Sequence, residues 1–401
     1  MTYIYKAISI IIAISVIVSL SGCKNSASNN NTNQDFNTPS VQDTNNSSAL
    51  PSDSQDFKST APNSPNNKDD TQNNITLSKV WEFEGIVPYY NPVVNGNNVI
   101  IFGENVMFNI NKDTGEKNYE SFLNFNYAVY FYTDSNIIAA CNAKGFLEVT
   151  DINTGNLLWT YGIPHEMYCN PVTKDGVIYS VTTNGILHAL DLATGDELWT
   201  LDPQNSSKFN QSNTPIIIGD TLYFIPGQEA NLYAVDLKSQ KEKWHIDNLG
   251  LNEVVLANKG DTIYAISDNG IVCAINTQQQ KLIWKVNLYN DKKYKQLTFG
   301  SIDNDALTLF NKNNHIYRVD LETGNILFDY TYEGNGTITG VSQKDNTIFF
   351  TTGTDLASID KSGHNFTTYG LGIPVDGNLA VNGDELYLTN SENKLFKYKI
   401  N

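Results

Sequence analysis

The sequence predicts an all-β fold of eight four-stranded antiparallel sheets set around a common axis, the N-terminal strand completing the last sheet and a disordered tether leading into the wheel. Three observations carry that prediction. One phrase recurs at a spacing near 40 residues, each recurrence holds four short alternating segments, and the truncated last copy finds its missing part ahead of the first.

The phrase is clearest at Ala189, Asp191, Thr194, Gly195 and Trp199. Asp151, Thr154, Gly155 and Trp159 repeat it closely, Asn111, Thr114, Gly115 and Tyr119 open the series, and Asp236 with Trp244, Asn276 with Trp284 and Asp320 with Phe328 follow with drift. Asp360, Ser362 and Gly363 form a copy one residue shorter, and Tyr398 to Ile400 begin an eighth. With the Asp-equivalent at 111, 151, 191, 236, 276, 320, 360 and 399, the intervals run from 39 to 45, a period that marks one supersecondary unit used eight times.

Within the third unit, strands are expected at Pro171 to Thr173, Val177 to Thr182, Leu187 to Asp191 and Glu197 to Leu201, separated by Lys174-Asp175-Gly176, Asn184-Gly185 and Thr194-Gly195. Helical periodicity is absent. Four-stranded units of this length make an eight-bladed β-propeller. The Asp side chain is suited to accept backbone N–H bonds across its turn, and Gly supplies positive φ. The Trp falls on the outermost strand, where the gap between radiating blades is widest and needs the bulkiest side chain. Trp81, in Val80-Trp81-Glu82-Phe83, obeys the same rule, so this segment is expected to finish the eighth sheet and remove the exposed edges of an open array.

Ahead of the repeats lie two zones of different composition. Lys6 precedes an uncharged run from Ala7 to Leu20, too short for a bilayer span of about 20 residues and fitting a signal peptide. The run ends in Leu20-Ser21-Gly22-Cys23, which resembles the lipobox of bacterial lipoproteins; residues 1–22 are read as the signal peptide and Cys23 as the lipid-attachment residue. Two or three acyl chains, palmitate among them, give stable attachment to the cell membrane on its extracytoplasmic face. Residues 23–78, rich in Asn, Ser, Thr and Pro, lack the apolar content to offset ordering entropy and are expected to be a disordered tether. The folded domain is assigned to residues 79–401.

The formal net charge of −17, with Arg318 as the single arginine, excludes direct nucleic-acid binding, because no basic stripe is available to neutralise phosphates. The Asn-rich, Arg-poor composition also hints at an AT-rich genome and a Gram-positive host.

The Ala-x-Asp-x-x-Thr-Gly-x-x-x-Trp repeat resembles the pyrroloquinoline quinone (PQQ)-like propeller family over residues 80–401. That family holds quinoprotein alcohol dehydrogenases and also non-enzymatic lipoproteins, among them the propeller subunit of the outer-membrane β-barrel assembly machinery. The enzyme branch implies an adjacent Cys-Cys pair, a Trp platform beneath the quinone, a catalytic Asp and Ca²⁺ ligands. Here Cys141, Cys169 and Cys273 are far apart in sequence and every Trp is assigned to a blade edge, so no catalytic residue, cofactor or metal ligand carries over. The five histidines scatter over different units, Asp303-Asn304-Asp305 lacks the EF-hand pattern, and whether Cys141 and Cys169 pair is open.

The reading is therefore a non-enzymatic protein-binding or scaffold propeller at the cell envelope. An outer-membrane assembly factor in a Gram-negative host, a PQQ-dependent dehydrogenase and a glycan-binding module are the alternatives. Loops between second and third strands and loops between blades share one face. There the sequence offers a basic and aromatic patch, Tyr289, Lys292, Lys293, Tyr294 and Lys295, and an aromatic run, Tyr119, Phe122, Phe125, Tyr127, Tyr130, Phe131 and Tyr132, as a surface for an envelope protein, a peptide or a glycan.

Overall fold

The computed structural model describes residues 75–85, 90–103, 105–123, 128–134, 136–142, 145–162, 170–203, 214–226, 231–251, 254–289 and 296–401. The expected signal peptide, Cys23 and most of the expected tether lie outside the described residues. Among the described residues thirty-two strands form eight four-stranded sheets, each antiparallel throughout. Seven blades are consecutive in sequence: Val93–Phe122, Ala128–Gly162, Val172–Leu201, Ile216–Ile246, Val254–Asn287, Leu297–Thr331 and Gly340–Tyr369, taken as blades 1 to 7. In blade 3 the strands are Val172–Lys174, Val177–Val181, Leu187–Asp191 and Glu197–Leu201, within one residue of expectation at every end.

Blade 8 is built from both ends of the chain. Its strands Leu379–Asn382, Glu385–Asn390 and Lys394–Ile400 are completed by Leu77–Glu84, which pairs antiparallel with Lys394–Ile400. Trp81 faces Lys397 across this pair, just as Trp199 faces Ala189 in blade 3. The strand starts earlier than the expected boundary at Lys79, because Leu77 and Ser78 already pair with Ile400 and Lys399. Thr76 and Asn401 exchange backbone hydrogen bonds of 3.3 and 3.0 Å, holding the two ends together where other blades have a turn.

The core is divided. Eight clusters of buried side chains each lie between neighbouring blades, from Ile100, Phe102 and Ile138 at the seam of blades 1 and 2 to Trp81, Val99 and Tyr387 at the seam of blades 8 and 1. A blade is too thin to bury anything alone, so stability resides in the seams. The last residue of the inner strand adds a polar staple at every second seam. Lys174 reaches Asp220 at 2.8 Å, Lys259 reaches Asn304 O at 2.6 Å, Lys344 reaches Asp384 at 2.8 Å, and Asn95 reaches Asp134 O at 2.5 Å, joining blades 3 to 4, 5 to 6, 7 to 8 and 1 to 2.

Trp81 is 8% exposed and donates its indole N–H to Lys112 O of blade 1 at 3.0 Å, so the closing strand is anchored on both sides. Replacing it with alanine is expected to cost about 3–5 kcal/mol, the usual range for a buried Trp. A chain beginning after Phe83 is expected to melt far below one beginning at Ile75, and equal melting temperatures for the two in a calorimeter would contradict the closure.

Candidate functional site

The partners of the repeat residues decide what side-chain chemistry remains available. Asp191 Oδ1 accepts the backbone N–H groups of Ala193 and Thr194 at 2.9 Å, and Asp151 and Asp320 do the same in blades 2 and 6. These bonds favour the ionised carboxylate and hold Asp191, Asp151 and Asp320 below the usual Asp range. Gly195 follows with φ +79°, as the turn demands.

The glycine has a second reason that turn geometry alone does not supply. A Cβ on Gly195 would stand 2.6 Å from Cδ2 of Trp159, the outer-strand Trp of the preceding blade. Trp159 donates its indole N–H to Leu192 O of that same turn at 2.9 Å. Trp81 over Gly115, Tyr119 over Gly155, Trp284 over Gly324 and Phe328 over Gly363 repeat the arrangement. Trp199 and Trp244 lie in the next two seams, so all five tryptophans are engaged between blades.

Two seams also carry a buried cation at the position two residues before the Asp-equivalent, where blade 3 has Ala189. Arg318 is 4% exposed and donates to Asp303 Oδ2 at 2.9 Å, while Lys361 of blade 7 reaches the same oxygen at 2.7 Å. Lys397, also 4% exposed, meets Glu385 at 2.7 Å, and Lys112 of blade 1 meets that carboxylate at 3.1 Å. Burial works to raise the pKa of Asp303, but hydrogen bonds from Arg318 and Lys361 outweigh it and hold the carboxyl well below the ordinary range. The Asp303-Asn304-Asp305 turn is thus a staple filled by protein cations, with Lys259 Nζ on its carbonyl oxygens. Among the described residues no group of three His, Cys, Asp or Glu side chains is arranged to hold a metal ion.

The expected patch between blades 5 and 6 needs one correction. Tyr289 is 7% exposed and packs in the seam cluster with Tyr264, Leu288 and Leu297, its ring over Gly270, and burial pushes its hydroxyl up to about 12. It follows Leu288 directly off the outer strand and still lies within the seam, so it offers no outward surface. Lys292, Lys293, Tyr294 and Lys295 lie outside the described residues. Of the aromatic run, Tyr119 caps blade 2, Phe131 stacks on Phe102 with ring centroids 4.3 Å apart, and Tyr132 accepts from Thr173 at 2.8 Å. Phe122 alone among the run's described side chains is widely open, at 68% exposure. Phe125 and Tyr127, and the side chain of Tyr130, lie outside the described residues. His188 binds Glu197, His315 binds Asp329, and Cys273 is buried with its thiol pushed up to about 11. Cys141 is buried; Cys169 lies outside the described residues.

The outer rim was missed. In seven blades the outer strand carries a β-bulge one residue before the aromatic, as at Leu158 between the pairs Thr150 with Leu157 and Val149 with Trp159. The bulged side chain turns outward, and in five blades it is apolar: Val80, Leu158, Leu198, Ile283 and Leu327, at 44–51% exposure. The signal was present in the sequence as an apolar residue immediately before Trp or Phe, against the alternation of a regular strand.

These features have known relatives. The family model described as outer membrane protein assembly factor BamB matches residues 110–330, more than half of the chain. The chain belongs to that family. Among solved structures, BamB from Moraxella catarrhalis superposes with a TM-score of 0.63 at 14% identity, covering 81% of this chain and 100% of that one. The computationally designed Ika8 protein gives 0.64 at 12% identity over 78% of this chain and 98% of its own, and the C-terminal WD40 domain of Sif2 gives 0.63 at 12% over 81% and 98%. At such identities these likenesses establish the fold alone. No curated protein matches the chain in sequence.

Gly195 and Gly176 share φ +79°, yet only Gly195 is covered by a ring; the space beside Gly176 is open. Gly176→Ala is expected to cost about 1–2 kcal/mol for the left-handed backbone, and Gly195→Ala clearly more because Trp159 must move. Urea melts of the two variants measure the difference directly. Asp303→Asn is expected to cost about 3–5 kcal/mol by leaving Arg318 buried without its counter-charge. Because the folded pKa of Asp303 is depressed, its contribution is present above about pH 4 and is lost as pH falls further, so the variant should show a shallower acid limb in melts taken from pH 7 to pH 2.

Proposed function

We propose that this chain is a lipoprotein anchored through Cys23 to the extracytoplasmic face of the cell membrane, whose propeller binds protein partners at the envelope and performs no catalysis. The observation that carries the reading is the commitment of all five tryptophans to the seams. A quinone platform requires a Trp ring facing a ligand, and here each ring faces a neighbouring blade. The family match supports a protein-binding propeller over the dehydrogenase branch. A rigid wheel whose repeat residues are used up in holding it together is free to vary its loops, and it is there that partners are met. The loop between blades 5 and 6, with Lys292, Lys293, Tyr294 and Lys295, is the basic and aromatic stretch on the partner face of an otherwise acidic chain.

A second reading, an assembly factor for outer-membrane proteins, is favoured by the description of the matching family. It requires a host with an outer membrane.

Crosslinking on native membranes, followed by mass spectrometry, tests the proposal. The expected result is a recurrent envelope protein partner, lost or weakened when Lys292, Lys293 and Tyr294 are changed to alanine, together with a mature N-terminus at acylated Cys23. A Cys23→Ser chain should leave the membrane fraction. Absence of any specific partner, combined with reduction of an electron-accepting dye by PQQ, Ca²⁺ and an alcohol, would replace this reading with the catalytic one.

A further inference from the structure

Among the described residues every blade ends in an outer strand whose far edge has no neighbour in its sheet, leaving a row of backbone N–H and C=O groups outside the ladder. Such edges recruit other strands unless they are blunted by charge, by brevity or by bulges. Six outer strands here contain at least one charged residue, including Glu82, Glu120, Glu197, Lys243, Lys285 and Asp329 in turn. The outer strand of blade 7 is blunted by brevity, at three residues. The outer strand of blade 2, Leu157–Gly162, has six residues and no charge.

Its surroundings are apolar as well. Leu157, Leu158, Thr160 and Gly162 are exposed, the two leucines at 46% and 50%. Phe122 and Leu198, on the outer strands of the flanking blades, are 68% and 51% exposed. Beyond the bulge at Leu158, Trp159 to Gly162 pair in unbroken register with Val149 to Phe146, leaving a regular ladder for an added strand.

We propose that the free edge of Leu157–Gly162 is a docking site for an extended segment of a partner protein, which adds to blade 2 as a fifth strand and carries lysine or arginine beside its apolar residues. The backbone edge dictates an extended occupant, the exposed leucines dictate apolar side chains on it, and charge dictates its ends. Asp151 at the turn of blade 2 and Glu197 on the outer strand of blade 3, which accepts from Tyr161 of this strand, make the approach acidic on a chain of net charge −17, while Glu120 on the other side is offset by Lys117 at 2.6 Å. A second copy would bring the same charge to the same edge and is disfavoured as the occupant. This inference rests on the protein-binding reading above and names one surface for it, distinct from the loop face.

The probe is a synthetic peptide of alternating Val and Thr with paired Lys at both ends, added to the full chain and followed by hydrogen exchange and titration calorimetry. Slowed exchange confined to Leu157–Gly162 is expected. Binding should be at least about tenfold weaker for Leu158→Lys and for Thr160→Lys, both at exposed positions and both expected to keep the parent melting temperature. A peptide with Glu ends and one with a central Pro should each fail to bind. Equal binding by the two Lys variants, equal binding of the Glu-ended peptide, slowed exchange elsewhere only, or no binding of the Lys-ended peptide would overturn the proposal. Concentration-dependent dimerisation that protects this edge without peptide would overturn it in favour of a second copy. Native crosslinks that persist on the loop face while the peptide fails would leave the protein-binding reading standing and remove this surface alone.

Discussion

In five seams an aromatic ring from one blade lies on the turn glycine of the next, and this is the contact on which the wheel most depends. Trp159 shows why the two residue types are bound together: its ring occupies the space a side chain on Gly195 would need, and its N–H reaches a carbonyl of the same turn. The turn needs Gly for its backbone, the ring needs Gly for its approach, and the Asp that caps the turn keeps the carbonyl in place. Asp and Gly therefore recur together with an aromatic supplied by the preceding blade, while in blades 4 and 5 Gln240 and Gln280 take the positive-φ place and Trp199 and Trp244 still fill the seams.

The exception supports the rule. At the aromatic position of blade 7 stands Thr367, which pairs with Ser358 as Trp199 pairs with Ala189. Its neighbour, blade 8, has no turn at that corner, because the strand ending at Ile400 and the strand beginning at Leu77 meet only through Thr76 and Asn401. With no turn at that corner there is nothing for a ring to cover, whereas blades 4 and 5, whose turns carry Gln240 and Gln280 in place of Gly, still meet Trp199 and Trp244 in their seams. Ile75, Leu77, Tyr369, Leu371 and Ile373 fill the seam instead. The missing tryptophan of the seventh repeat and the position of the chain ends are one fact seen twice.

Most of the fold was legible because each element of the repeat is locally determined: the turn by Asp, Thr and Gly, the outer strand by its Trp, the closure by the stray Trp81. Surface features were legible less well. Tyr289 reads as part of an exposed patch beside its lysines, but whether a residue just after the outer strand leaves the seam is settled by three-dimensional packing against Gly270, at the head of the neighbouring strand in the same blade. Asp303 reads as a solvated turn residue, while the cations that make it a staple come from Arg318, Lys361 and Lys259, each distant in sequence. The rim leucines were visible but unread, since a bulge breaks the alternation by which a strand face is assigned.

The inner-strand staples have a consequence of their own. Lys174, Lys259, Lys344 and Asn95 all belong to odd-numbered blades and all reach forward to an even-numbered one. At this one position the ring repeats every two blades, while Lys361 with Asp303 and Lys112 with Glu385 bind two of the intervening seams. A lineage that lengthened or shortened this architecture by a single spoke would put two such donors, or two such acceptors, side by side at this position, whereas gaining or losing two neighbouring spokes would keep the alternation.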